Sequence, residues 1–160
     1  MKVLKLSTVA LLLLSCILPH KTKAHSEIVA NIMVAYAEEG LVLTASLEKK
    51  HLAFALKKEA KCQPKDMLRI CASEYVQQHI KVAINDEVIE LKKLDQQLTK
   101  SSLIITYLIK CGAPIQSVNI QSDYMIQYND HSKVKVISRL AEKDKSYSLS
   151  VKRKEITILI

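Results

Sequence analysis

The chain of 160 residues has very little glycine and few aromatic side chains, and these shortages exclude several functional classes. Its two glycines, Gly40 and Gly112, stand alone, so there is no phosphate-binding glycine loop and no Gly-x-Ser-x-Gly nucleophile elbow. Without tryptophan, and with Phe54 as the single phenylalanine, it lacks an aromatic platform for nucleic-acid bases. Neither Cys-x-x-Cys nor His-Glu-x-x-His occurs, and no acid–base pair of carboxylates is evident. We therefore predict a protein that is not an enzyme and does not bind nucleic acid.

The first 24 residues have the layout of a bacterial signal peptide. Lys2 and Lys5 give a positive start, and a mostly apolar stretch follows over residues 6–18. That stretch is too short to cross a bilayer, which requires about 20 residues, and this layout is typical of secretory signals. We expect a signal peptide over 1–24 and one domain over 25–160 without a transmembrane segment. The protein is then exported and either periplasmic or associated with the cell envelope.

Two processing sites are compatible with this segment. Cleavage after Thr22-Lys23-Ala24 leaves His25 as the new N-terminus, whereas Leu13-Leu14-Ser15-Cys16 resembles a lipobox and would make Cys16 a lipid-modified anchor. Cleavage after Ala24 removes four lysines and no acids, which lowers the formal charge from +8 to +4. The remaining lysines are scattered among acidic residues, unlike the concentrated basic face of a nucleic-acid-binding protein.

Export permits disulfide bonds, and three cysteines follow Ala24. A bridge between Cys62 and Cys71 closes the shortest loop, although Cys111 remains an alternative partner for either cysteine. The odd number predicts one structural disulfide and one unpaired thiol.

Alternating hydrophobic residues predict a mainly β domain. Residues 28–36 and 41–47 form one hairpin around Glu38-Glu39-Gly40, and a second hairpin spans 80–91 with its turn at Asn85-Asp86-Glu87. Further strands are predicted over 102–109 (in the centre of a sheet), 117–128, 134–137, 147–151 and 156–160. Helical spacing over 49–60 and 67–79 predicts a two-helix insertion at about 49–79. The result is an antiparallel β-sandwich of about seven to nine strands, immunoglobulin-like in architecture.

The histidines are the strongest indication of chemistry in the sequence. A terminal His25 combines an amine with an imidazole, and His131 lies in a turn beside Asp130. Nitrogen ligands of this kind suit Cu(II) or Ni(II), so His25, His131 and Asp130 are the candidate metal ligands, although solvated polar residues are the alternative. His51 is expected to face solvent among lysines. His79 is expected at a helix C-terminus, where a cation suits the helix dipole.

Several segments together resemble a bacterial exported family of unknown function. They are the Ala24-His25 junction, the strand pair after it, residues 75–79 at the end of a helix, the strand-turn-strand over 80–88, and residues 124–136 around Asn129-Asp130-His131. More remotely, the layout is similar to the extracytoplasmic domains that precede HupE/UreJ-type nickel and cobalt permeases. The resemblance implies a β-rich extracytoplasmic domain and favours metal binding, but it implies no catalytic residues.

Two functional hypotheses follow. The first is a non-enzymatic exported domain that binds another protein or an envelope component, which an exposed edge strand or apolar patch would favour. The second is a metal-binding or metal-delivery domain that uses an N-terminal histidine. A hydrolase is the weakest alternative, because no nucleophile–base set is recognisable.

Overall fold

The computed structural model describes residues 27–59, 67–124, 126 and 128–160. The described residues form ten strands, two α-helices and a π-helical segment. These are β1 (Glu27–Ala37), β2 (Gly40–Glu48), α1 (Lys49–Lys58), the π-helical segment (Met67–Cys71), α2 (Ala72–His79), β3 (Ile80–Ile84), β4 (Glu87–Ile89), β5 (Lys92–Leu98), β6 (Ser102–Lys110), β7 (Ser117–Ser122), β8 (Ser132–Arg139), β9 (Lys145–Leu149) and β10 (Glu155–Leu159). The predicted signal peptide lies outside the described residues.

The strands form two sheets, as expected for a mainly β, sandwich-like protein. The larger sheet has the order β5-β6-β2-β1-β8-β9, and the smaller one has the order β10-β7-β3-β4. The expectation of antiparallel pairing is wrong for β1 and β8, which pair in parallel, so the larger sheet is mixed. The prediction that β6 lies in the centre of the sheet is also wrong. It is the second strand from one edge, next to the edge strand β5, which was not predicted.

The core is formed by the inward positions of alternating strands. In β2, Leu41, Leu43, Ala45 and Leu47 are completely buried, and the residues between them are partly exposed. The same alternation occurs in β6 and β8, and inward side chains of the smaller sheet such as Ile120 are also buried in this core. Burial of one face of each sheet therefore accounts for the two-layer arrangement.

The two predicted hairpins are present with their predicted turns. Gly40 has φ +138°, and a side chain at this position would collide with the carbonyl oxygen of Ile109 on β6. Asn85 and Asp86 both have positive φ, 49° and 68°, which suits a two-residue hairpin turn. The turn residues thus fix the register on both sides of the sandwich.

The two predicted helices are also present. Helix α1 buries Leu52, Ala55 and Leu56, and α2 buries Tyr75 and Val76. The second predicted helix begins with one π-helical turn before the α-helix starts at Ala72. Among the described residues, neither helix has the length and hydrophobicity needed to span a membrane.

The parallel pairing of β1 and β8 brings their first residues to the same edge of the larger sheet. Glu27 is the register partner of Ser132, and the Glu27 amide donates to the carbonyl oxygen of His131 at 3.2 Å. The β1–β2 hairpin pairs Ala30 with Leu47, which places Glu27 opposite the first residues of α1. Residues from three distant parts of the sequence therefore meet at this end of the sandwich.

Candidate functional site

The outer face of the six-stranded sheet is apolar or uncharged at its centre. The register aligns the outward positions of the four inner strands in rows across the sheet. The uncharged outward residues of these rows are Ala35, Val42 and Leu108; then Ile137, Met33, Thr44 and Thr106; then Asn31, Ser46 and Ile104. On the β8 side, Arg139 continues the first row and Lys135 the third. All of the uncharged residues but Asn31, which is exposed, are partly exposed to solvent. We call this surface the large-sheet face.

Charged side chains lie around the large-sheet face rather than at its centre. Three lysines occupy outward register positions and make no ion pair with a described residue. They are Lys92 on β5 and Lys133 and Lys135 on β8. Two acidic residues also occupy outward positions: Asp95 on β5 accepts a hydrogen bond from Gln97, and Glu48 at the end of β2 is paired with Lys50. The surroundings of the large-sheet face are therefore basic.

The outer face of the four-stranded sheet has the opposite distribution. Asn119 and Gln121 lie at outward positions on the inner strand β7, and Asn119 donates a hydrogen bond to the Thr157 hydroxyl at 3.0 Å. The large exposed apolar residues, Val88 and Leu159, are on the two edge strands. This face is polar at its centre, and its polar groups are partly satisfied within the sheet.

A second candidate site lies where β1, β2 and α1 meet. The His51 cluster consists of Glu27, Glu48, Lys50 and His51. The two ring nitrogens of His51 face one carboxylate each: Nε2 is 3.3 Å from Glu27 Oε2, and Nδ1 is 2.9 Å from Glu48 Oε2. Lys50 Nζ contacts the other oxygens of the same carboxylates, at 3.1 and 3.2 Å. One ligand atom each from Glu27, Glu48 and His51 lies within 4.8 Å of the others, close enough to share a metal ion.

The expectation that His51 faces solvent is wrong. Its side chain is only 15% exposed, because the β1–β2 hairpin places Glu27 against the first turn of α1. The nearby lysines favoured exposure, but Lys50 points its ammonium group at the two carboxylates. The hydrogen bond from Lys50 and the charge of His51 lower the pKa of Glu27, and the contacts with Glu27 and Glu48 raise the pKa of Lys50.

The polar groups next to the His51 cluster are incompletely satisfied. The buried Nδ1 atom of His51 makes no hydrogen bond despite its short distance to Glu48. The hydroxyls of Ser132, Tyr124 and Tyr75 are also buried without a partner, although the Tyr75 ring packs on His79 rather than on His51. Ser132 and Tyr124 are completely buried. Burial raises the pKa of Tyr124, and the charge of Glu48 adds to this increase. Buried polar atoms without partners are uncommon in folded proteins, so this concentration requires an explanation.

A different histidine arrangement occurs at the far end of the helical segment. The His79 cluster consists of Glu59, His79 and Asp123. His79 Nδ1 is 2.7 Å from Asp123 Oδ1, and Nε2 is 3.1 Å from Glu59 Oε1, both with hydrogen-bond geometry. The ring also packs on Tyr75, with 4.3 Å between centroids. The cluster connects the ends of α1, α2 and β7, because its members directly follow or end these elements.

The predicted metal ligands are only partly within the described residues. His131 is 56% exposed on its side chain, and its Nε2 is 3.5 Å from Asp130 Oδ1. Both residues line a shallow groove together with Lys133 and Lys152. His25 lies outside the described residues. The backbone contact of Glu27 with His131 brings the first described residue next to His131. Coordination by His25, His131 and Asp130 stays a prediction.

The cysteines divide into one bonded and one free residue among those described. Cys71 is in a disulfide bond, whereas Cys111 is a free thiol whose pKa is raised by burial. The predicted partner Cys62 and the alternative lipidation site Cys16 both lie outside the described residues. The pairing of Cys62 with Cys71 and the lipid anchor stay predictions.

Neither candidate site was predicted from the sequence. The alternation in β2 already assigned Val42, Thr44 and Ser46 to one face, but it did not show which strands would extend that face. For the His51 cluster, the available signal was the spacing of Glu48 and His51, which places them three residues apart at the start of a helix.

The fold defines a β-rich protein of two stacked sheets with a helical insertion. No protein-family model matches this chain, and the curated proteins compared with it show no significant match. The function of this chain therefore has to be inferred from its own residues.

Proposed function

We propose that this chain is an exported, non-enzymatic binding domain that presents the large-sheet face to another protein in the periplasm or cell envelope. The observation that supports the proposal is the apolar centre of this face, with charges only around it. Protein interfaces have the same composition, since charged residues are depleted at their centre and enriched at the rim. The predicted immunoglobulin-like architecture belongs to this proposal, because such sandwiches present flat strand surfaces.

The charges around the face specify the chemistry of the partner. Lys92, Lys133 and Lys135 are not neutralised by ion pairs among the described residues, and the acidic counterparts are Asp95 and the paired Glu48. A second copy of this chain, docked face to face, would bring basic rims together and lose affinity through like-charge repulsion. The partner is therefore a different protein whose contact surface is apolar at the centre and acidic at the rim.

The dimensions of the face suit a protein partner. The whole six-stranded sheet, which includes the large-sheet face and the charged rim around it, has strands about 4.8 Å apart that each contribute about eight residues at about 3.3 Å, which gives a surface of roughly 750 Å². A standard protein interface covers about 800 Å² on each partner. The rows of the large-sheet face contain no aromatic residue of the type that anchors proteins in lipid headgroups.

The test is site-specific photo-crosslinking in the native cells. A photoreactive residue replaces Leu108 on the large-sheet face or, as the matched control, Asn119 on the outer face of the smaller sheet. We expect a discrete adduct with one other protein from position 108 and none from position 119. Reversing two rim charges with Lys92→Glu and Lys135→Glu should reduce the adduct at least tenfold, because an acidic rim would then be repelled.

Three results would contradict this proposal. They are equal adducts from positions 108 and 119, an adduct whose mass is that of two copies of this chain, and an adduct that the charge reversals leave unchanged. An adduct with lipid rather than protein would assign the face to a membrane surface and would also exclude the proposal.

A further inference from the structure

We infer that Glu27, Glu48 and His51 form a binding site for one divalent transition-metal ion, with Zn²⁺ as the probe. The inference is independent of the large-sheet face, and its residues differ from the predicted set of His25, His131 and Asp130. Two carboxylates and one imidazole are a donor set that zinc accepts, and three protein ligands leave a fourth position for water.

The first argument is the distance between the donor atoms. Glu27, Glu48 and His51 each offer one ligand atom, and these three atoms lie within 4.8 Å of one another. Ligands bound to one tetrahedral zinc ion at about 2.0–2.2 Å are roughly 3.4 Å apart. Small side-chain rotations would therefore place all three donors on one ion.

The second argument is the orientation of the carboxylates. Lys50 holds the Oε1 atom of both Glu27 and Glu48, which leaves their Oε2 atoms directed at His51. Groups that fix the orientation of metal ligands are a regular feature of metal sites. Two carboxylates face the single ammonium group of Lys50, and a metal ion that binds in place of the imidazole proton would supply the balancing positive charge.

The third argument is independent of the charged cluster and comes from the buried hydroxyls beside it. Ser132 is the register partner of Glu27 on β8, so the two side chains lie on the same side of the sheet. Its hydroxyl is completely buried and has no hydrogen-bond partner. The Tyr124 hydroxyl is equally buried and unpartnered, and Glu48 is the charged group that acts on it. A water molecule on the fourth coordination position would provide partners for such hydroxyls.

Calorimetric titration of the full chain with Zn²⁺, after chelator treatment, tests the inference. We expect one equivalent to bind, and we expect His51→Ala and Glu48→Gln each to weaken binding at least tenfold. The matched control is His131→Ala, which removes an exposed imidazole at the same end of the sandwich and should leave the affinity unchanged. His25→Ala tests the N-terminal site that the sequence predicts. This variant should also leave the affinity unchanged if the metal binds at the His51 cluster.

Spectroscopy on the unmodified protein provides a second test, which does not depend on the folding of any variant. Addition of Co²⁺ to the unmodified protein should produce visible absorption bands of a low-symmetry site, and Zn²⁺ should shift the imidazole NMR signals of His51. Absence of stoichiometric binding overturns the inference. So does binding that is lost in His131→Ala or His25→Ala but retained in His51→Ala, or a Zn²⁺-induced shift at His131 without one at His51.

Discussion

The two partly buried histidines of the helical segment both lie between two carboxylates, but only one of them is fully hydrogen-bonded. His79 makes hydrogen bonds through both ring nitrogens, to Asp123 and Glu59, and packs on Tyr75. In His51, the Nδ1 atom is buried without a partner although Glu48 is 2.9 Å away. Similar residue types at similar distances therefore form two different arrangements.

The difference indicates what each cluster can do. Both ring nitrogens of His79 are within hydrogen-bond geometry of a carboxylate oxygen, so each already has a polar partner. Such a satisfied group connects α1, α2 and β7 and has no capacity for a further ligand. The His51 cluster has its donor atoms close together but misaligned for hydrogen bonding, so the buried Nδ1 atom has no partner. This is the arrangement expected where a ligand completes the site.

The largest effect that separates the two clusters is on stability without metal. His79→Ala removes two hydrogen bonds to carboxylates, so it should lower the free energy of unfolding by about 2–3 kcal/mol. His51→Ala removes no hydrogen bond from Nδ1 and should cost about 1 kcal/mol or less. Urea denaturation of both variants, with chelator present, measures the difference.

His79→Ala also removes the packing on Tyr75, so a second variant isolates the polar contribution. Asp123→Asn keeps the side-chain volume and weakens only the 2.7 Å contact, and it should cost about 1 kcal/mol. Equal losses for His79→Ala and His51→Ala would mean that the two clusters have the same structural role and would remove the distinction drawn between them.

The next effect is smaller and has the opposite sign. Tyr124→Phe removes a buried hydroxyl that has no partner, so it should leave the metal-free protein as stable or more stable by up to about 1 kcal/mol. Tyr107→Phe is the matched control, because the Tyr107 hydroxyl donates to the carbonyl oxygen of Ser73 and its loss should destabilise. Thermal denaturation at neutral pH compares them. Destabilisation by Tyr124→Phe without metal would show that this hydroxyl has a partner.

Local patterns in the sequence predicted the hairpins and helices. Leu41 and Val42 begin an alternation that correctly separated the buried and outward faces of β2, and the turns at Gly40 and Asn85 occur where predicted. These features depend on interactions between residues that are close together in the chain, so their pattern is visible in a single sequence.

Features that depend on distant pairing could not be predicted in the same way. Strand β5 (Lys92–Leu98) is exposed at nearly every position, so it has no hydrophobic alternation to detect. The parallel pairing of β1 with β8 joins segments about 100 residues apart and has no local signal. Both candidate sites depend on such pairing: the large-sheet face requires the strand order, and the His51 cluster requires Glu27 to return to the start of α1.

The smallest effect concerns the titration of Glu27, which reports directly on the geometry of the His51 cluster. The Lys50 hydrogen bond, followed by the charge of His51, lowers the pKa of this carboxyl below its ordinary value of 4.5. A lowered pKa means that the ionised form favours the folded state, so the stabilisation is present above the unfolded-state value and is lost as the pH falls through the folded-state value. NMR titration of the Glu27 side-chain carboxyl should give a midpoint below 4.5 in the unmodified chain.

Lys50→Met provides the control for this titration, because it removes the largest cause of the shift and retains most of the side-chain volume. The Glu27 midpoint should then rise towards 4.5, and His51→Ala should produce a smaller rise. If the midpoint stays unchanged in Lys50→Met, then Lys50 does not hold the Oε1 atom of Glu27. The carboxylate orientation that distinguishes the His51 cluster from the His79 cluster would then have no cause, and the metal-site inference would lose its second argument.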